Sequence, residues 1–385
     1  MRQSVTTPVT AGTVSIEVVG RTDVGRRREH NEDAFLVADL SAAVARAVTE
    51  ERERLVWPPR PMGARGALFI VADGMGGAAA GELASQMATA VILEEVQTQW
   101  GDTAATDPDH FAQTLRQATE RANQRIHAHA TSNPDTKGMG TTVTLAGFFG
   151  DTLYLCQVGD SRAYLVRRGV ATQISKDQSL MQRLVDAGEL TPEEAEVSER
   201  RNIILQALGP EARVKVDLTV QRVQRGDLLV VCSDGLSGQV RGPEIATLLS
   251  SAPTLETGCD ALVDRANATG GPDNITVIVA RLDGAGLPPT LAEVPRHQVY
   301  TGPPEDRATI QIDRTAIDSA TTAAHVRGEA EAKGELVPQT KVAARPAAAP
   351  TKKRPAASPD ASLAPSLTVF AVLVLIFVAL GILLS

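Results

Sequence analysis

Cysteine is scarce in this chain, with three in 385 residues, and histidine occurs six times. Cys156, Cys232 and Cys259 are odd in number and lie in apolar strand or helix contexts. They read as core residues in a reducing compartment, which excludes a disulfide frame and a zinc site. His127 and His129 stand two apart on a helical stretch and so do not face each other, the wrong spacing for a ligand pair. Positive charge is in deficit, 38 Lys and Arg against 46 Asp and Glu for a net charge of −8. No nucleic-acid partner is expected from that balance. An apolar run behind Met1 is also missing, so no secretory signal is expected. Regular alternation of strands with helices, the mark of a parallel doubly wound sheet, is absent as well.

What the chain does hold is a repeated design, clearest at Phe69-Ile-Val-Ala-Asp-Gly-Met-Gly-Gly77. A strand-forming apolar run ends on Asp73, followed by glycines that let backbone approach whatever the carboxylate holds. Asp-Gly after a strand is ordinarily a turn, but here the pattern recurs. Asp234 follows Leu-Leu-Val-Val-Cys-Ser, Asp160 follows Leu-Tyr-Leu-Cys-Gln-Val-Gly, and Asp273 opens the run Ile-Thr-Val-Ile-Val. An ionised group at the edge of a core is costly unless paired or metal-bound. Four acids at strand ends therefore predict one shared, cation-filled site.

Taken in order, residues 1–13 read as a flexible N-terminus and 14–283 as one folded domain. Strands are expected at 14–19, 34–39, 67–72, 138–149, 152–158, 162–166, 214–223, 227–232 and 275–282. The pair 152–158 and 162–166 reads as a hairpin turned at Gly159-Asp160-Ser161. Residues 41–65 break the pattern and read as an insertion, a short helix followed by a proline-rich loop. Helices are expected at 82–99, from Asp107-Pro108 onward, and at 179–187, 243–250 and 255–268. The second carries the stripe Phe111, Leu115, Ala118, Ala122, Ile126. Thr191-Pro-Glu-Glu194 forms a helix-start signature inside a charged segment, 176–202, that reads as a flap. Strands at both ends with helical pairs between them argue for an α+β fold of mostly antiparallel sheets flanked by helices.

Carboxylates without cysteine or paired histidine select Mg²⁺ or Mn²⁺ over zinc. Two such ions ~4 Å apart would activate a water and clamp the oxygens of an in-line displacement. One of the arginines beside Glu32 and Asp33 would hold the phosphate, because a guanidinium meets phosphate oxygens two at a time. The chemistry so derived is phosphoester hydrolysis without a covalent intermediate.

Six segments then carry a resemblance: Thr22-Asp-Val-Gly with Arg28-Glu-His-Asn-Glu-Asp33, Ala72-Asp-Gly-Met-Gly-Gly77, Gly138-Met-Gly-Thr-Thr142, Val158-Gly-Asp-Ser-Arg162, Cys232-Ser-Asp-Gly-Leu236 and Gly270-Gly-Pro-Asp-Asn-Ile-Thr276. In this order they resemble the motifs of bacterial type 2C, Mg²⁺/Mn²⁺-dependent Ser/Thr protein phosphatases, over roughly residues 14–283. The resemblance implies a central antiparallel β-sandwich with helices outside it and two metal ions, with room for a third, at one end. It makes Asp73 the bridging ligand and gives Gly74 a carbonyl role. Asp234 and Asp273 would complete one ion's shell, and Glu32 would serve the other. Asp160 would bind the third ion, Asp33 would orient water and Arg28 would bind the phosphate. Gln178 and Glu199 depart from residues common in the family and bear on substrate preference. A pseudophosphatase, the same fold used only to bind phosphoproteins or partners, is the alternative; the presence of all the metal-site acids favours the enzyme.

From 284 the composition turns rich in Pro, Ala and Thr, and 284–365 reads as a disordered linker. Residues 366–385 are apolar and uncharged, close to the ~20 residues a spanning helix needs. Lys341, Arg345, Lys352, Lys353 and Arg354 precede this segment and no positive charge follows it. The expected arrangement is a single-pass membrane protein with its catalytic domain in the cytoplasm, acting on phosphorylated proteins and opposing a Ser/Thr kinase at the same membrane.

Overall fold

The computed structural model describes residues 12–49, 53–100, 107–198 and 200–302. β1 (Ser15–Asp23) leads through the arginine-rich loop into β2 (Asp33–Asp39), followed by β3 (Val44–Val48) and β4 (Arg54–Pro61). β5 (Ala67–Met75) carries Asp73 and Gly74 at its end. Two long helices that pack on each other come next, α1 (Ala78–Trp100) and α2 (Pro108–Ser132). The side chain of Asp107 accepts the Asp109 amide and Pro108 fills the first position, so α2 starts where an orphaned N–H is capped and another is missing. The short β6 (Gly140–Thr141) precedes β7 (Val143–Phe149), β8 (Thr152–Val158), β9 (Arg162–Arg167) and β10 (Val170–Gln173). The flap holds α3 (Leu180–Asp186) and α4 (Pro192–Val197), the latter started by the reciprocal Thr191–Glu194 capping box. β11 (Asp217–Arg222), β12 (Asp227–Cys232), α5 (Asp234–Ser237), α6 (Gly242–Ser251), α7 (Leu255–Ala268) and β13 (Ile275–Asp283) complete the order.

Two antiparallel sheets face each other. One runs β10-β9-β12-β13-β1-β4, the other β11-β8-β7-β5-β2-β3, with β6 added beside β5. Their central strands are buried on both faces, which is why they read as continuous apolar runs. In β5, Phe69 and Val71 fill the space between the sheets with Phe35, Leu229 and Ile278. Leu68, Ile70 and Ala72 point the other way, onto Ala84, Ala88 and Ile92 of α1 and Phe111 and Leu115 of α2. The second sheet's partner layer is matched on the far side, where Val230, Val277 and Val279 pack under Ile245 of α6 and Leu262 and Val263 of α7. Each large side chain so buried contributes about 1.5–3 kcal/mol. The three thiols lie inside these layers, unbonded to one another, and burial pushes each up to about 12.

Three expectations change. The 41–65 insertion is not a helix and loop but two strands on opposite sheets, β3 against β2 and β4 against β1. In Arg54-Leu55-Val56-Trp57, Leu55 and Trp57 turn inward while Arg54 and Val56 face out. The prolines of β4 are tolerated because it is an edge strand. Arg60 lies over the Trp57 ring at 4.4 Å and reaches Asp39 at 2.5 Å. Second, β8 and β9 do not form a hairpin. β8 pairs with β7 and β11, β9 with β10 and β12, so Gly159-Asp160-Ser161 crosses from one sheet to the other. Third, residues 284–302 are packed on the domain. Leu287 is 2% exposed in the inter-sheet core, and Val299 pairs with Thr219 on the edge of β11. Their prolines and glycines resemble a linker's composition, but the open β11 edge supplies backbone partners. The rest of the expected linker, the 366–385 span and most of the 1–13 N-terminus lie outside the described residues. Among the described residues no helix is long and apolar enough to cross a membrane.

Candidate active site

All the predicted acids meet at one end of the sandwich, because each sits where a strand enters or leaves that end. Asp33 begins β2 and Asp73 ends β5, and the two are direct partners in that ladder, so they share a face. Asp234 follows β12 and opens α5, Asp273 precedes β13, and Asp160 lies on the crossover between the sheets. Glu32 stands one residue before β2. The backbone of Asp73 is fixed from behind by the Gly138–Thr142 segment. The Thr142 amide and the Thr141 hydroxyl both donate to the Asp73 carbonyl, at 2.8 and 2.9 Å. Thr142 also bonds Ser161 at 2.8 Å, tying the β5 end to the crossover that carries Asp160.

Loss of hydration governs the electrostatics, and crowding of like charge adds to it. Loss of hydration, then the charges of Asp33, Asp234, Asp273 and Asp160, push Asp73 well above the usual carboxylate range. Burial raises Asp160 to about 8, with Asp234 and Asp177 adding to it. Burial likewise lifts Asp33 to about 7 against the opposing hydroxyls of Thr276 and Ser233, and Asp234 to about 6 with Asp273 contributing. Glu32 is raised by burial, and Arg28 pulls it back. Arg28 is the cation in contact with the cluster, donating to Asp273 at 2.8 Å. Its side chain is half exposed, free to turn toward a ligand.

Such an arrangement fits divalent cations. Asp33 Oδ1 and Asp160 Oδ1 are buried without a partner among the described residues, and carboxyls raised first by burial and then by one another's charge would ionise more readily once a cation entered. Among the described residues no group of three His, Cys, Asp or Glu side chains is placed to hold a metal ion as the side chains stand. That placement does not outweigh the charge argument, since Mg²⁺ keeps several waters and binds through few carboxylates.

Several residues essential to this geometry were not singled out from sequence. Asn274 donates to the carbonyls of Val24 and His30 and accepts the Glu32 amide at 2.9 Å, clamping the arginine-rich loop onto the acids. Ser233 donates to Asp33 at 2.9 Å and accepts the Thr276 amide. Gly74 and Gly81 leave room by lacking side chains. A Cβ on Gly74 would stand 2.2 Å from the Gly81 carbonyl, and one on Gly81 would stand 1.9 Å from Glu32 Oε2. Asn274 and Ser233 lie inside quoted motifs, a signal that could have found them; Gly81, a glycine in the first turn of a helix of strong formers, was also visible.

A cavity of about 400 Å³ opens from the acids toward the flap. Arg28, Asp160, Asp234, Asp273, Glu196 and Arg241 are among its lining residues. Gln178, the first departure from the family pattern, accepts the Gly159 amide at 3.0 Å and so fastens the flap's start beside Asp160. Glu199, the second, lies outside the described residues.

An acid cluster flanked by an exposed guanidinium, at one end of a helix-covered sandwich, defines a metal-dependent phosphatase. Comparison with known proteins makes the assignment specific. The protein phosphatase 2C family model matches residues 62–275. The serine/threonine phosphatase stp of Listeria monocytogenes is 37% identical over 264 residues, 68% of this chain and 94% of the relative. The serine/threonine protein phosphatase PstP of Mycobacterium tuberculosis is 42% identical over 215 residues, 55% of this chain and 40% of that protein. A crystal structure of the PstP catalytic domain with two manganese ions superposes with a TM-score of 0.56 at 36% identity, covering 70% of this chain and all of that one. The chain belongs to the protein phosphatase 2C family. It is a Ser/Thr protein phosphatase dependent on Mn²⁺ or Mg²⁺.

Proposed function

We propose that this phosphatase hydrolyses phosphoserine and phosphothreonine in proteins with the cluster just described, and that it opposes a Ser/Thr kinase at the membrane. One observation carries the reading: Asp160, Asp234 and Asp273 line one cavity with Arg28, and the charges of Asp33, Asp160, Asp234 and Asp273 all act on the buried Asp73. Asp73, whose carboxylate feels the charges of Asp33, Asp234, Asp273 and Asp160, would be a ligand shared by two ions, and the Gly74 carbonyl would help to hold them. Asp234 and Asp273 would hold one ion, Glu32 the other, and Asp160 a third. When bound, the ions supply the charge that draws in phosphoryl oxygens and lowers the pKa of water. Arg28 leaves Asp273 and takes the substrate's phosphate oxygens in a fork geometry. Asp33 Oδ1, buried and without a partner among the described residues, accepts a hydrogen bond from water and orients it.

The membrane reading rests on the apolar run 366–385 and the basic residues upstream of it. In this arrangement the domain stays in the cytoplasm and meets phosphoproteins and a kinase held at the same surface. A silent phosphoprotein-binding module would keep the fold without needing the acids, and all of them are present.

The test is turnover of p-nitrophenyl phosphate and of phosphothreonine peptides. Metal removal with EDTA should abolish both, and Mn²⁺ or Mg²⁺ should restore them. Asp73→Asn should lower kcat by far more than tenfold. Retention of more than about a tenth of the activity, a loss of under about 1.4 kcal/mol, overturns the bridging role. Peptide binding without turnover in the metal-loaded protein would establish the silent module instead.

A further inference from the structure

One lining element of the active-site cavity, helix α4, is weakly fastened. Helix α4 buries no residue of its own, yet Ala195 and Glu196 line the cavity. Glu196 makes the charged link to the body of the domain. Its carboxylate accepts from Arg241 Nη1 at 2.5 Å, and its carbonyl from Arg241 Nη2 at 3.4 Å. The base of Arg241 is rigid. It follows the fully buried Val240, whose amide bonds the Leu236 carbonyl within the short segment that begins at Asp234. Its guanidinium therefore extends from the same rigid piece that carries an acid of the metal cluster. Both side chains of the pair are accessible, 38% and 39% exposed. The pair also shares its cavity with Arg28, where the phosphate binds in the reading above.

A guanidinium that faces a substrate cavity and holds an internal carboxylate has the chemistry to hold an external anion instead. We propose that Arg241 is a specificity-determining residue of the peptide groove. It receives an anionic side chain, a carboxylate or a second phosphate, near the phosphorylated residue of the substrate, and Glu196 occupies that subsite when no such substrate is bound. A substrate anion displaces Glu196 and in the same exchange releases α4 from the body, which widens the entrance. An exposed ion pair of this kind is weak enough to be exchanged by a ligand. The proposal rests on the assignment as a protein phosphatase, which wild-type turnover of any phosphothreonine peptide tests separately.

The experiment compares kcat/KM of the full-length, Mn²⁺-loaded protein on a neutral phosphothreonine peptide with two series. One moves a single glutamate along the flanking positions, and the other moves a second phosphothreonine. The readout is the preference ratio, anionic over neutral. In the wild type at least one position should be favoured about three- to fivefold through KM, and the two series show whether carboxylate or phosphate is the better occupant. Arg241→Gln should bring the ratio to near one. Glu196→Gln, which empties the subsite, should raise it. The charge swap, Glu196→Arg with Arg241→Glu, separates a subsite from a mere latch. It restores an ion pair between α4 and the body, and it should shift preference to peptides with lysine at the same position. A swap that keeps the wild-type preference for anions overturns the proposal, as does Arg241→Gln lowering kcat/KM equally for all peptides. Turnover of p-nitrophenyl phosphate confirms that each variant is folded and loaded. If Arg241→Gln fails that check, the Glu196→Gln ratio decides, and an unchanged ratio there also refutes the subsite.

Discussion

Leu287 distinguishes a packed strap from a linker. It lies four residues beyond the last strand, in a stretch whose composition suggests a tether, yet it is 2% exposed in the core between the sheets. Backbone bonds hold the segment on both sides of it. Gly286 donates to Thr13, Arg225 to the carbonyl of Pro288, and Val220 and Tyr300 bond across to Gln298 and Leu218 at 2.9 Å each. Leu→Ala in a core costs about 2–5 kcal/mol, the spread reflecting how far the site can collapse. Leu287 is carried by the strap beyond the last strand and not by a sheet strand, so the site can collapse more easily and about 2–3 kcal/mol is expected. For a domain of this size each kcal/mol moves the midpoint by about 2–4 °C, so Leu287→Ala should lower Tm by roughly 4–12 °C. The assay is thermal unfolding followed by circular dichroism, on chains ending at residue 302. Mn²⁺ must be held at one concentration, because a ligand of the native state raises Tm by itself. A linker residue would be neutral to within about 0.5 kcal/mol. A shift below about 1 °C would therefore refute the packing of this strap.

Two further outcomes follow from the site and from the tail. Gly81→Ala places a methyl where Glu32 Oε2 now lies, 1.9 Å away; it should raise the Mn²⁺ concentration needed for half-maximal turnover several-fold, and an unchanged metal titration would remove Glu32 from the ligand set. Deletion of 366–385 should move the protein from the membrane pellet to the soluble fraction, and an intact chain that is itself soluble would end the membrane proposal.

The acids were legible in the sequence for one physical reason. An ionisable side chain at the end of an apolar strand demands a partner, and Asp73, Asp234, Asp160 and Asp273 each made that demand separately. The strands were legible because both faces are buried, and the same fact hid their pairing. With no polar face to mark orientation, nothing local says which sheet a strand joins. β8 and β9 were read as neighbours because their connection is short, whereas the open edges beside β7 and β12 decide the matter. β3 and β4 were missed for a related reason: Ala-Val-Ala-Arg-Ala has helical composition and is extended because it pairs back on β2, while β4 carries three prolines and is held by its pairing with the more distant β1. Asn274 and Gly81 were missed because their work lies in backbone bonds and in empty space, which no periodicity records. These misses meet at the active site. Asp160 reaches the cluster because the β8–β9 connection changes sheets, and the end of β5 is tied to that crossover through Thr142 and Ser161. Asp33 and Asp73 come from one sheet, while Asp234 and Asp273 flank strands of the other. The cluster therefore exists only when the two sheets are closed on each other. Its mutual repulsion opposes that closure, and a bound cation favours it, so metal binding and sandwich assembly should be coupled in free energy.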